Sequence, residues 1–174
     1  KGFTIGMRFH SAPVVRLADA KPVQLGHAAR ADGAWRIYAF ADASGQRLRE
    51  LAAFLAESAH SPIRRFTPTG ADIDSVIDVR AVFQQGHRDL KVDDLPSMLL
   101  PRKGSFGLID YEKAYCPDLK NGPDIFDLRG IARERGAMVV VRPDQYVANV
   151  LPLPAHDELA AFFDRFLLDA ERHV

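Results

Sequence analysis

Apolar residues along the chain repeat with two periods, two for strands and about 3.6 for helices. From Trp35 to Ala41, Ile37, Ala39 and Ala41 share one face and Tyr38 and Phe40 the other. Both faces are apolar, which predicts a strand buried on both sides at the centre of a sheet. From Gln46 to about Ser58, Leu48, Leu51, Phe54 and Leu55 fall on one helical face, with Arg47, Arg49, Glu50 and Glu57 mostly outside it. Asp42-Ala43-Ser44-Gly45 offers cap oxygens before this helix, and Pro62 is expected to end any continuation. Ser75 to Gln84 alternates again, with Ile77, Val79, Ala81 and Phe83 on one side and Asp78 and Arg80 on the other. Two strands joined by a helix predict a parallel pair with a right-handed crossover.

The last third repeats the logic. Asp124 to Arg135 reads as a helix with Leu128, Ile131 and Ala132 on its apolar face and Gly136 just past its end. Ala137 to Leu153 reads as two strands around a tight turn at Arg142-Pro143-Asp144-Gln145. Pro143 presets φ for the second position of a type I turn, and Asp144 suits the third. Asp157 to His173 carries Leu159, Phe162, Phe163, Phe166, Leu167 and Ala170 at helical spacing, the strongest helical pattern in the chain. The three phenylalanines read mainly as core, with a partial extension of their face into a dimer contact as the alternative. Earlier, residues 1–22 are irregular apart from an extended Pro13 to Leu17; Val23 to His27 reads as a short strand and Asp32-Gly33 as a turn. Residues 85–123 are broken by Pro96, Pro101, Gly104, Gly107, Pro117, Gly122 and Pro123, with Ser105 to Tyr111 as a candidate strand. The order is β-α-β, a long insertion at 85–123, then α-β-β-α. That is the order of an α/β thioredoxin-like fold with a central mixed sheet, in one domain spanning 1–174.

Composition narrows the function classes. Lys and Arg total 23 and balance 23 Asp and Glu, so nothing global draws the chain to nucleic acid or an anionic membrane. No apolar run approaches the roughly 20 residues of a spanning helix. The opening residues, Lys1 to Gly6, lack an initiator Met and a signal-peptide core, as expected of a piece of a longer polypeptide or of a processed or trimmed chain. The single cysteine excludes an intrachain disulfide and fits a reducing cytosol.

Candidate chemistry is sparse. A redox-active thioredoxin fold needs a low-pKa cysteine at the start of its first helix. Asp42-Ala43-Ser44-Gly45-Gln46 has none, and Gly136-Ala137 stands where such folds place a proline. Cys116, far off in the insertion, reads as structural or incidental, and thiol chemistry through it is the least favoured reading. Asp72, Asp74 and Asp78 resemble the start of a calcium loop, but Ile77 and Phe83 occupy the required glycine and glutamate positions. These aspartates are expected to be solvated at the start of the strand. The six histidines show no ligand spacing, and no glycine-rich phosphate loop or nucleophile elbow is present. Catalytic, cofactor-binding and metal residues are therefore expected to be none. Arg142, Pro143, Asp144, Gln145 and Tyr146 remain as a hairpin end, either a plain packing corner or an interface toward a partner domain.

Val139-Val140-Val141-Arg142-Pro143-Asp144-Gln145-Tyr146-Val147-Ala148 resembles a signature near the C-terminus of FAD-dependent aromatic hydroxylases, of the phenol 2-monooxygenase and 3-hydroxybenzoate 4-monooxygenase type. Ser11-Ala12-Pro13-Val14-Val15-Arg16 with Leu25-Gly26-His27 resembles the opening of the same C-terminal domain. The resemblance implies a redox-inactive thioredoxin-like domain that contributes to homodimer contacts and follows flavin-binding and substrate domains of the same polypeptide. It implies a cytoplasmic parent enzyme that hydroxylates phenolic rings with FAD, NADPH and O₂. The FAD ligands would lie in the absent N-terminal portion, so none is assigned here. Leu128-Arg129-Gly130-Ile131-Ala132 stands where a Tyr-Gly-Ile-Asp-like phrase is expected, which leaves the family member open. The alternative is a stand-alone, redox-inactive thioredoxin-like interaction module.

Overall fold

The computed structural model describes residues 2–120 and 122–170. Its strands are β1 (Pro13–Arg16), β2 (Lys21–Gln24), β3 (Trp35–Phe40), β4 (Ile77–Val82), β5 (Arg102–Lys103), β6 (Leu108–Ile109), β7 (Ala114–Pro117), β8 (Ala137–Val141) and β9 (Val147–Leu151). Its α-helices are α1 (Gln46–Glu57), α2 (Pro62–Phe66), α3 (Ile125–Arg129) and α4 (His156–Asp164). Seven strands form one mixed sheet in the order β2-β1-β7-β4-β3-β8-β9, and β5 and β6 form a separate small hairpin. β3 and β4 are parallel, with Ile37 opposite Val79, as the helical connection requires. β8 is antiparallel to β3, with Ile37 opposite Val140.

The alternation of β3 sorts directly into two cores. Ile37 and Ala39 pack with Leu48, Leu51 and Leu55 of α1 and with Leu159 and Phe163 of α4. Tyr38 and Phe40 point the other way, to Phe9, Leu25, Tyr115, Ile125 and Phe126. On this second face Phe9 stacks between Phe3 and Tyr38, with centroid distances of 4.9 and 4.4 Å. Each fully buried large apolar side chain contributes about 1.5–3 kcal/mol, so both helical layers are held by a few well-placed residues. The thioredoxin-like, mixed α/β reading holds.

Several boundaries differ from expectation. The second strand is Lys21–Gln24 rather than Val23 to His27. Leu25 turns inward, its N–H bonded to the Ala12 carbonyl at 3.0 Å, and Leu25–Ala28 becomes a 3₁₀ turn. α1 has already ended at Glu57, with an extended Ser58 as its C-cap, and Pro62 instead begins α2, where its missing N–H costs nothing. The helix expected over Asp124 to Arg135 stops at Arg129. Gly130 is left-handed at φ 61° and caps it, while the Asp124 carboxylate accepts the Phe126 and Asp127 N–H groups at the other end. Its buried residues are Ile125 and Phe126; Leu128 is exposed. Gly136 has a different duty: at φ +63°, an added Cβ would lie 2.3 Å from the Phe40 carbonyl oxygen. α4 ends at Asp164, because Phe166 turns back to stack on Trp35 at 4.9 Å and Arg65 ion-pairs with both Asp164 and Asp169. Positions 171–173 of the expected helix lie outside the described residues.

The stretch 85–123 is more ordered than its breakers suggest. Two 3₁₀ turns, Val92–Asp94 and Ser97–Leu99, deliver Leu95, Met98 and Leu99 to the α1 core. Only Leu108–Ile109 of the candidate Ser105 to Tyr111 strand is strand. β7 then enters the main sheet, antiparallel to β1 and parallel to β4.

Candidate functional site

The β8–β9 turn forms as its residues dictate. The Gln145 N–H donates to the Arg142 carbonyl at 2.9 Å, closing a turn with Pro143 at its second position. Gln145 itself is left-handed at φ 68°, and the Arg142 N–H then donates to the Tyr146 carbonyl at 2.9 Å. This is a three-residue hairpin loop, a type I turn closed by one left-handed residue. The Asp144 carboxylate accepts the Tyr146 N–H at 3.3 Å and ion-pairs with the Arg142 guanidinium, whose carbon lies 6.0 Å from the Tyr146 ring centre. Arg142, Pro143, Asp144 and Tyr146 are exposed and Gln145 is half-buried. The cluster is thus brought together as a corner on the surface. Gly6, Met7 and Phe9 run beside it: the Phe9 N–H donates to the Gln145 carbonyl at 2.7 Å and the Val147 N–H to the Met7 carbonyl at 2.8 Å. Ile5, Met7 and Tyr146 form an exposed apolar group at this corner.

The start of α1 holds carboxylate and hydroxyl in place of thiols. Ser44 Oγ donates to Asp42 at 2.6 Å, and the Leu48 N–H donates to the same carboxylate at 3.3 Å. Burial opposes the Asp42 charge, but these hydrogen bonds outweigh it and hold the carboxyl below its usual range. Gly45 is left-handed and occupies the cap position itself. Cys116 lies fully buried in β7. Burial, with the charge of Asp89 adding to it, pushes its thiol up to about 11, so it carries almost no thiolate near neutrality.

At the opposite end of the sheet lies a feature that the alternation concealed. Asp78 and Arg80 were expected on a polar strand face, and Asp72, Asp74 and Asp78 in solvent. Asp78 is instead 3% exposed and Arg80 6%. The Asp78 carboxylate meets the Arg80 Nε at 2.8 Å, the Lys113 Nζ at 2.7 Å and the Arg36 Nε at 3.1 Å. Lys113 Nζ also donates to Asp74 at 2.5 Å, and Asp74 accepts from Lys103 at 2.8 Å. Arg80 donates to the Tyr115 hydroxyl at 2.7 Å, which donates onward to the Glu112 carbonyl at 2.7 Å. Asp32 closes the outer side, 2.7 Å from Arg36. Burial opposes ionisation of Asp74, yet the Lys103 and Lys113 bonds outweigh it and lower its pKa. Burial likewise opposes the Lys113 charge, and Asp78 and Asp74 outweigh it to raise the pKa. A cleft of about 770 Å³ opens over this cluster between Arg16, Asp19, Asp72, Lys103 and Tyr111. Each buried ion of this network faces an opposite one, so its chemistry is that of a clamp between strands. Among the described residues, no group of three His, Cys, Asp or Glu is placed to hold a metal ion, and no helix is long and apolar enough to cross a membrane.

Sequence reasoning missed this cluster and one apolar feature. The only sequence signal for the cluster was a run of acidic and basic residues in and beside strands. The apolar feature is the turn Gly104-Ser105-Phe106-Gly107, which carries an aromatic at the tip of the β5–β6 hairpin; its glycines mark the turn.

The fold and the start of α1 together define a thioredoxin-like domain without the helix-terminal thiol. Among solved structures the chain is similar in fold to a peroxiredoxin-like protein from Aquifex aeolicus, with a TM-score of 0.56 and 12% identity over 95% of this chain and 88% of that one. It is similar also to the thioredoxin domain of a thiol-disulfide oxidoreductase from Bacteroides vulgatus, with a TM-score of 0.54 and 12% identity over 95% and 99% of the two chains. These likenesses concern the fold alone. Residues 1–171 match the family described as "Phenol hydroxylase, C-terminal dimerisation domain", and the chain belongs to that family. It is 59% identical over 172 residues to 3-hydroxybenzoate 4-monooxygenase of Comamonas testosteroni, covering 95% of this chain and 27% of that protein. It is 39% identical over 171 residues to FAD-dependent monooxygenase terD of Aspergillus terreus, covering 94% and 28%. The chain therefore spans little more than a quarter of the length of these relatives. The resemblance read from Val139 to Ala148 is borne out at the level of the family.

Proposed function

We propose that this chain is the C-terminal assembly domain of a flavoprotein monooxygenase that hydroxylates a phenolic ring with FAD, NADPH and O₂. In this reading the rest of the polypeptide binds flavin and substrate, the domain holds two copies of the enzyme together, and the enzyme works in the cytoplasm. The observation that carries it is the family match across residues 1–171, supported by the names of the two relatives. The start of α1 agrees, since Asp42 and Ser44 use their oxygens to cap a helix and leave no thiol for exchange. The corner formed by Arg142, Pro143, Asp144, Gln145 and Tyr146 then faces a neighbouring domain of the same polypeptide. Its exposed Arg142, its half-exposed ring and the adjoining residues 6–9 suit a polar, reversible domain contact. The stand-alone module is disfavoured by the several-fold greater length of the relatives; the mass of the native polypeptide decides between the two.

The test is a preparation of these 174 residues alone. It should be colourless, take up no FAD and oxidise no NADPH. A yellow, flavin-loaded preparation would overturn the proposal.

A further inference from the structure

The β5–β6 hairpin holds apolar side chains away from both cores. Between Gly104 and Gly107, both left-handed, the chain turns over Ser105 and Phe106, and Phe106 is 88% exposed. Leu108 at 69% and Tyr111 at 46% continue the apolar strip beside it. A ribbon this short has no core of its own, and a free tip would gain by folding its phenylalanine inward. It is held out by specific bonds. The Gly104 N–H donates to the Asp72 carboxylate at 2.8 Å, the Lys103 ammonium to Asp74 at 2.8 Å, and the Asp110 N–H to the Pro101 carbonyl at 2.9 Å. Asp74 is fixed in turn by the buried Lys113, and Lys113 by Asp78. The ionic clamp at this end of the sheet therefore braces an apolar tip in solvent, and the tip is preorganised at no ordering cost to whatever covers it.

We propose that the tip is the docking surface for a second copy of this chain, with Phe106, Leu108 and Tyr111 packing against their counterparts across a two-fold axis. The inference rests on the assembly reading above and deepens it by naming the surface. Three observations favour a second copy over another occupant. The family is described as a dimerisation domain. Both edges of the main sheet are closed to strand pairing. β2 presents Lys21 and Pro22, while β9 carries a register shift, the bonds to residues 6–9 and the Asn149 side chain on the Val150 N–H at 2.9 Å. Finally, the rim of the tip carries both signs, Arg102 and Lys103 against Asp72, Asp110 and Glu112, so two copies related by a two-fold axis can set each cation near an acid of the other.

The experiment uses the full-length enzyme that carries this domain. Sedimentation velocity over a dilution series gives the dimer dissociation constant. Phe106→Asp is expected to weaken the dimer at least tenfold, and Phe106→Leu to leave it close to wild type. A photo-reactive benzoylphenylalanine placed at position 106 is expected to yield a product of twice the chain mass. Unchanged dimer affinity in Phe106→Asp, or crosslinks confined within one chain, would overturn the inference and assign the tip to another domain of the same polypeptide. Deleting the whole domain separates the two readings. Monomers on deletion together with an intact Phe106→Asp dimer would sink the surface alone, whereas a persistent dimer on deletion would sink the assembly function itself.

Discussion

The two ends of the parallel strands solve opposite problems. Where β3 ends and α1 begins, the groups are small and local: Asp42, Ser44 and Gly45 cap a helix, and Gly136 lets β8 start hard against the Phe40 carbonyl. Where β3, β4 and β7 begin, the groups are long and charged, and Arg36 and Lys113 come from far along the sequence to close on Asp78 beside Arg80. The first end is the place at which a thiol-exchange enzyme of this fold keeps its nucleophile; here it retains only the geometry of a cap. The second end holds its buried charges rigidly and, through Lys103 and Asp74, anchors the β5–β6 tip with its exposed Phe106. One end is thus held by short-range caps and the other by buried ion pairs.

The comparison breaks most readily at its tightest points. Gly136→Ala sets a Cβ 2.3 Å from a backbone oxygen at positive φ. The expected loss is on the order of 4 kcal/mol, read as a shift in the urea midpoint or as failure to accumulate folded protein. Asp78→Asn comes next. It leaves Lys113, Arg80 and Arg36 without their shared counter-charge, and breaking a buried pair costs about 3–5 kcal/mol. Asp42→Asn at the capped end should cost only about 1 kcal/mol. Equal losses at the two aspartates would contradict the contrast drawn between the ends.

The pH dependence of stability sharpens the same contrast. Asp74 is held below its ordinary value of 3.8, so its stabilisation is present above that value and is lost as pH falls through the lowered one. Lys113 is held above its ordinary 10.5, so its contribution is present below that value and is lost as pH rises through the raised one. Denaturation curves should show a plateau between these limits and a decline on either side. Asp42 shares the acid limb, and on the alkaline side Lys113 is joined by the buried Cys116 thiol, which is pushed up to about 11. Lys113→Met in otherwise wild-type protein should therefore make the alkaline limb shallower without abolishing it. The smallest expected effect is at the corner. Arg142→Ala removes an exposed ion pair and a long contact with the Tyr146 ring, worth less than about 1 kcal/mol of stability, measured by thermal unfolding.

These outcomes bear on what the sequence could reveal. β3, α1, β4 and the β8–β9 hairpin were legible because each carries its own period or turn residues: Ile37, Tyr38, Ala39 and Phe40 for one, Pro143 and Asp144 for another. β7 was hidden because Ala114-Tyr115-Cys116-Pro117 is too short to display a period and follows Glu112 and Lys113. The clamp was hidden for a different reason. Asp78 and Arg80 read as a wet face unless their partner is known, and Lys113 lies 35 positions away from Asp78. Non-local charge pairing leaves no local pattern. The corner at Arg142 to Tyr146 was legible as a turn and as a family signature, while the braced Phe106 tip was legible only as a glycine-flanked break.

The most direct measurement is the mass in solution of the full-length polypeptide that carries this domain, with and without residues 1–171, by sedimentation velocity at micromolar concentration with flavin content followed in parallel. The account predicts a flavin-loaded dimer for the whole chain and a flavin-loaded monomer after deletion. A deletion variant that remains dimeric, or that loses its flavin while the isolated domain binds it, would contradict the account.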